Sequence, residues 1–292
     1  SLVRAGVVLA EKRLLRSLAD AGLNQEEVAG VLAGLRLTDA SPATGPAALH
    51  GARLRDFPSE LAALSVALDH EEEESGDRVL NEEERGLFRG AAARANYLAL
   101  DRVDIVFAAK ELCRRMAVPR VSDLTALRRL ACYLVGTPRV VQRYPWQAPE
   151  GLKLFTDTDF AGCTRTRRST NAGVCMRGHH LLKHYSRTQK VVTLSSAEAE
   201  LGGVVQGASE GLGIQSIAKD MGMDLHLTLL ADSSAAIGIC RRSGIGRVRH
   251  LAVGQLWVQE RIRDKTLSLR KVPGEENPAD IGTKHLAADV MR

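Results

Sequence analysis

The stretch from Thr193 to Leu201, TLSSAEAEL, opens a helix between segments that alternate like a sheet. Ser195 or Ser196, followed by Glu198 and Glu200, is a helix N-terminus signal. A hydroxyl accepts an orphan backbone N–H, and the acids favour the positive end of the helix dipole. Small and apolar residues carry the helix on to about Leu212. Alone, this is an ordinary capped surface helix, and its meaning depends on what stands on either side.

Upstream, the period changes from helical to alternating at Gly151. Leu152, Leu154 and Phe155 run into Thr156-Asp157-Thr158-Asp159, so an apolar strand ends in two acids. A basic turn with Arg165, Arg167 and Arg168 leads to a second strand from Ala172 to Met176. Gly178 turns the chain into a third strand from Leu181 to Ser186, giving an antiparallel meander. Downstream, Leu225 to Ala231 is a short apolar strand ending at Asp232, with a helix opening at Ser233. A helix over about Leu251 to Arg263, a strand from Thr266 to Val272 and a helix starting in PGEENPAD complete the order. The succession βββ–α–β–α–α–β–α predicts an α/β fold. Its mixed five-stranded sheet has three antiparallel strands, then parallel additions, with helices on both faces.

The rest of the chain is less informative. Residues 81–147 read as all-helical: Asn81 caps Glu82 to Glu84 over an apolar face of Leu87, Ala91, Ala95 and Leu98. A second helix is expected over Val103 to Met116, and a third from Ser122, as its cap, to Val135, closed by Gly136 and Pro138. Residues 1–80 are unassigned, partly helical, with an acidic linker from Glu71 to Asp77. The expected domains are therefore 1–80, 81–147 and 148–292.

Composition sets outer bounds. The 292 residues suffice for one large domain or two modest ones, and a net charge of +5 is compatible with a polyanionic partner. No apolar run approaches the roughly 20 residues needed to cross a bilayer. With no secretory signal visible either, the expectation is an intracellular protein without a membrane partner. Cys113, Cys132, Cys163, Cys175 and Cys240 are scattered without CxxC spacing, which argues against a zinc site or a disulfide framework and fits a reducing compartment. No GxxxxGK[ST] loop and no polymerase Tyr-x-Asp-Asp motif occurs.

Acids thus stand at the end of the first strand (Asp157), in the central helix (Glu200), after the fourth strand (Asp232) and near the start of the last helix (Asp280). Like charges repel, so collecting four carboxylates has a reason only if cations sit between them. Carboxylates suit Mg2+ or Mn2+, and a pair of such ions about 4 Å apart stabilises the attacking and leaving oxygens of a phosphoryl transfer.

The motifs FTDTDFAG, TRRSTNAG, LSSAEAEL, LLADSSAAIG, GRVRHL and KVPGEENPADIGTK, in that order, resemble the ribonuclease H domain of copia-type LTR retrotransposon Pol polyproteins. Residues 82–147 are similar to the helical region that follows the reverse transcriptase palm there. The resemblance implies a ribonuclease H-like fold, and an endonuclease that hydrolyses the RNA strand of RNA–DNA hybrids, leaving 5′-phosphate and 3′-hydroxyl ends. It implies Asp157, Glu200, Asp232 and Asp280 as the acids that bind two Mg2+ ions, or Mn2+. Asp159 is a neighbouring group and Glu198 the alternative helix acid. Ser195, Ser196 and Asn277 are candidate readers of the substrate's 2′-hydroxyls, although each also suits a helix cap. Arg165, Arg167 and Arg168 are candidate phosphate contacts, or exposed turn residues. His250, in RVRHL, is a candidate site residue or an ordinary histidine. Ala252 and Gly254 stand where the family commonly has an acid and a Lys, and Val103 where it has Pro. These departures keep open an alternative: a decayed module that binds nucleic acid without cutting it. The polymerase domain of the same polyprotein is an expected partner.

Overall fold

The computed structural model describes residues 77–148, 151–244, 246 and 253–285. The expectations for residues 1–76, and for His250 and Ala252, lie outside the described residues. The chain divides into two compact units.

The first unit comprises described residues 77–98 and 112–139. Helix α1 is Glu82–Leu98. Asn81 caps it as expected: its Oδ1 accepts from Glu84 N at 3.0 Å, while Glu84 Oε2 accepts from Asn81 N at 2.7 Å. The buried face keeps Ala91 and Ala95 of the expected one but takes Phe88 in place of Leu87. Phe88, Ala91, Ala92 and Ala95 are inside, whereas Leu87 is exposed. The expected helix from Val103 to Met116 is a 3₁₀ turn, Val103–Ile105, followed by α2, Val106–Cys113. Helix α3 is Val121–Gly136, and its cap is not Ser122. Arg120 holds that position, with Asp123 Oδ2 accepting from Arg120 N at 2.9 Å.

The second unit comprises 99–111 and 140–285 among the described residues. Its sheet has the order β3-β2-β1-β4-β5. Strands β1 (Leu152–Asp159), β2 (Thr170–Arg177) and β3 (His180–Thr188) form the antiparallel meander. Strands β4 (Leu227–Ala231) and β5 (Leu267–Lys271) add parallel to β1 and to each other. This is the mixed five-stranded sheet the periodicity implied.

One face carries Leu152, Leu154, Leu227, Leu229, Leu267 and Leu269. It forms one core with Leu201 and Val204 of α4 (Ser196–Asp220), Ile237 and Ile239 of α5 (Ser234–Arg241) and Val258 of α6 (Trp257–Arg263). On the other side, Ala279 of the 3₁₀ turn Pro278–Gly282 packs with Ala172 and Val174. The last expected helix is, in the described part, this single turn.

Helix α4 lies unusually close to the sheet because glycine recurs every fourth residue on its inner face. A Cβ on Gly203 would stand 2.5 Å from Thr158 Oγ1, and one on Gly207 2.4 Å from Thr156 Cγ2. Any side chain there must push the helix outward. The first turn of α4 is thereby held beside the end of β1.

The chain passes between the units at 98/99, at 111/112 within α2, and at 139/140. Residues 99–111 belong with the sheet because their contacts are there: Ala99 O accepts from His184 Nε2 at 2.7 Å, and Lys110 Nζ donates to Thr170 Oγ1 at 3.0 Å.

Candidate metal centre

The site follows from strand register. Thr156 of β1 pairs with Ala231 of the parallel strand β4, so one residue further on Asp157 and Asp232 are neighbours across two strands about 4.8 Å apart. Glu200 comes from the second turn of α4. The three carboxylates each bring one oxygen within 4.8 Å of the others.

Asp157 and Glu200 are buried, and Asp232 is half-buried. Among the described residues, Glu200 Oε2 has no hydrogen-bond partner. A buried acceptor without a donor is costly and calls for a ligand or a proton. Burial, and then the charges of Asp157 and Asp232, push the Glu200 carboxyl up to about 8. Burial also raises Asp157, to about 6. The Thr283 hydroxyl opposes that rise by donating to Asp157 Oδ2 at 2.5 Å, while Asp280 and Asp232 add to it. Such a set of hard, mutually repelling oxygens with an unmatched lone pair fits a divalent cation that prefers carboxylate ligands.

The fourth acid, Asp280, lies outside the group of three but close enough for its charge to act on Asp157. Its Oδ2 pairs with Lys284 Nζ at 2.8 Å. Asp159 is half-buried, and burial raises its carboxyl, with Lys110 and Lys284 opposing.

The two helix glutamates separate cleanly. Glu198 Oε2 accepts from Leu194 N at 2.8 Å, and Ser195 Oγ accepts from Glu198 N at 3.2 Å. Both residues therefore close the helix N-terminus, and Glu200 is the acid turned to the cluster. The Asn277 side chain is bonded within the chain. It is buried, its Nδ2 donates to Thr156 O at 2.9 Å, and its Oδ1 accepts from Ala279 N at 3.2 Å. It locks the Asp280 turn to β1. Ser196 is exposed at the start of α4.

Arg165, Arg167 and Arg168 are exposed, and none has an acidic partner among the described residues. Arg167 adopts φ +54° in that turn. Thr283 and Lys284 were missed by sequence reasoning. They lie in the GTK tail of the last motif, and only the fold reveals that they face Asp157 and Asp280. The glycine spacing of α4 was visible, but its consequence needs the sheet beneath it.

No family model matches the chain. Its relatives include the retrovirus-related Pol polyproteins from transposons RE1 and RE2 of Arabidopsis thaliana, each 30% identical over 203 residues, 68% of this chain. The Pol polyprotein from transposon TNT 1-94 of Nicotiana tabacum is 28% identical over 185 residues, 63% of this chain. The chain spans 14% of the length of each of these polyproteins. Among solved structures, a ribonuclease H1 in complex with an RNA/DNA hybrid covers 48% of this chain and 99% of its own, with 12% identity and a TM-score of 0.34. Over about two-thirds of its length, the chain is a homologue of retrovirus-related Pol polyproteins from copia-type transposons.

Proposed function

We propose that the sheet unit is a divalent-metal-dependent ribonuclease that cuts the RNA strand of RNA–DNA hybrids, as one part of a retrotransposon Pol polyprotein. The observation that carries the reading is the convergence of Asp157, Glu200 and Asp232 from three different elements, with a buried Glu200 oxygen lacking a donor among the described residues. These three, with Asp280, would hold Mg2+ or Mn2+. When bound, such ions supply an activated water and neutralise charge on the leaving 3′-oxygen.

The chain's own residues set up that chemistry. Thr283 fixes the Asp157 carboxylate through its hydroxyl, leaving the other oxygen to the cluster. Asn277 and Ser186 fasten the Asp280 turn, the latter donating to Gly282 O at 2.5 Å. The exposed arginines at 165, 167 and 168 suit phosphate contacts, which position a backbone without reading its sequence. Selection of RNA requires a group that senses the 2′-hydroxyl; of Ser195, Ser196 and Asn277, Ser196 is the exposed one.

The test is a gel assay with a labelled RNA–DNA hybrid and a DNA duplex, with Mg2+ and with EDTA. The expected result is Mg2+-dependent cutting of the hybrid alone, abolished in Asp157→Asn. Cutting that survives this substitution would remove Asp157 from the reaction. Hybrid binding in EDTA with no product at any metal concentration would make the chain a binding module.

A further inference from the structure

The proposed site depends on a turn, Pro278–Gly282, that carries Asp280 and leads directly into Thr283 and Lys284. Its start is well secured by Asn277 on β1. At its exit, Ser186 of β3 donates to Gly282 O and Thr283 donates to Asp157 of β1. A further support comes from a segment more than 170 residues earlier. The 3₁₀ turn Val103–Ile105 packs against Pro278–Gly282, with Ile105 fully buried. The Phe107 ring meets His285 edge-on, with ring centroids 4.8 Å apart at 83°. Lys110 Nζ sits 4.3 Å from the centroid of the same Phe107 ring while bonded to Thr170 on β2. The segment is itself stiffened by a buried ion pair between Arg102 and Asp104, at 2.6 Å, and is tied to β3 through Ala99.

We propose that residues 99–111 are a brace for the carboxylate site, with Phe107 as a positioning residue. By holding His285, it fixes where the chain leaves the turn and so where Thr283 and Asp280 stand. The consequence for metal rests on the proposed function. The brace itself does not. The working unit of this protein therefore begins near Ala99, within sequence that periodicity assigns to the preceding helical region. Two apolar and aromatic contacts set the site from outside the motifs that make it recognisable.

The experiment uses the full chain with Phe107→Ala and Phe107→Tyr. Two quantities are read: backbone hydrogen exchange at 279–285 against β1 and β4, and Mn2+ affinity by electron paramagnetic resonance. Phe107→Ala is expected to speed exchange at Thr283 to His285 about tenfold or more, while leaving β1 and β4 unchanged. It should weaken Mn2+ binding by about tenfold, the usual effect of removing a group that orients a ligand. Phe107→Tyr, which keeps the ring edge, should restore both. Unchanged exchange at Thr283, or an equal rise throughout the sheet, would overturn the brace. If the unaltered protein binds no Mn2+, the metal reading fails, and the exchange pattern alone still decides the brace.

Discussion

Replacing Glu200 by Gln should make the metal-free protein more stable at high pH and leave it unchanged, or slightly weaker, at low pH. The cause is proton linkage. Glu200 is raised from 4.5 to about 8 by burial and by Asp157 and Asp232. Between those values the folded state holds a proton that the unfolded state has lost, so stability falls as pH rises through that window. One unit is ~1.4 kcal/mol, so the ionised form carries a cost of ~5 kcal/mol at pH 8.5. At pH 5 the same cost is under ~1 kcal/mol. A buried Gln amide costs roughly 1–3 kcal/mol where it lacks partners, leaving a net gain of about 2–4 kcal/mol at the higher pH. For a unit of this size each kcal/mol moves the melting temperature by about 2–4 °C, so the variant should melt about 5–15 °C higher. The assay is thermal melting in EDTA at pH 5 and 8.5, repeated with Mg2+. Mg2+ should raise the melting point of the unaltered chain at pH 8.5 and barely move that of Glu200→Gln. An equal difference at both pH values, or a destabilised variant at pH 8.5, would show that the carboxylates are not held together against their charge.

Removing the hydroxyl in Thr283→Val takes away the hydrogen bond that holds Asp157 down. Its carboxyl should rise further, and the acid limb of the pH–cleavage profile should move to higher pH; an unmoved limb would deny Thr283 that role. Gly203→Ala places a Cβ 2.5 Å from Thr158 Oγ1. It should cost about 1–3 kcal/mol by denaturant unfolding and reduce cleavage by shifting Glu200, and a neutral result would mean that α4 has room to move. Neutralising Arg165, Arg167 and Arg168 together should reduce the salt dependence of hybrid binding by about one unit of slope for each phosphate left without its arginine. A slope identical to that of the parent would make them ordinary turn residues.

What could be read in advance divides along physical lines. Strands β1, β2, β3 and β5 were legible because a half-buried sheet writes alternation into the chain, β4 was legible as a short apolar run, and Asp157 and Asp232 were legible because they end strands. Glu200 could be favoured over Glu198 by its apolar successor, but the spacing of the helix start served both. The difference appears only when Glu198 is seen closing onto Leu194 N. Asn277 shows the limit from the other side. A polar residue beside the Asp280 turn has the composition of a substrate contact, yet its amide oxygen and nitrogen each bond within the chain. Leu87 and Phe88 differ by one position, which on a helix is 100° of rotation, and only packing settles which points inward.

The same limit explains why residues 99–111 escaped attribution. Hydrophobic period identifies a helix, but not the surface that the helix serves. Val103 to Cys113 has a helical pattern throughout, and the structure divides its allegiance: Cys113 Sγ donates to Ala92 O at 3.4 Å in the first unit, whereas Phe107 meets His285 and Lys110 bonds Thr170 of β2 in the second. A site assembled from acids on distant elements needs some rigid reference for the last of them, since Asp280 follows no strand. Here the core supplies that reference from one side, through Asn277 and Ala279, and an upstream segment supplies it from the other. A repelling set of carboxylates can be kept together only where the backbone is over-determined in this way, because each acid would otherwise relax its charge by moving toward water.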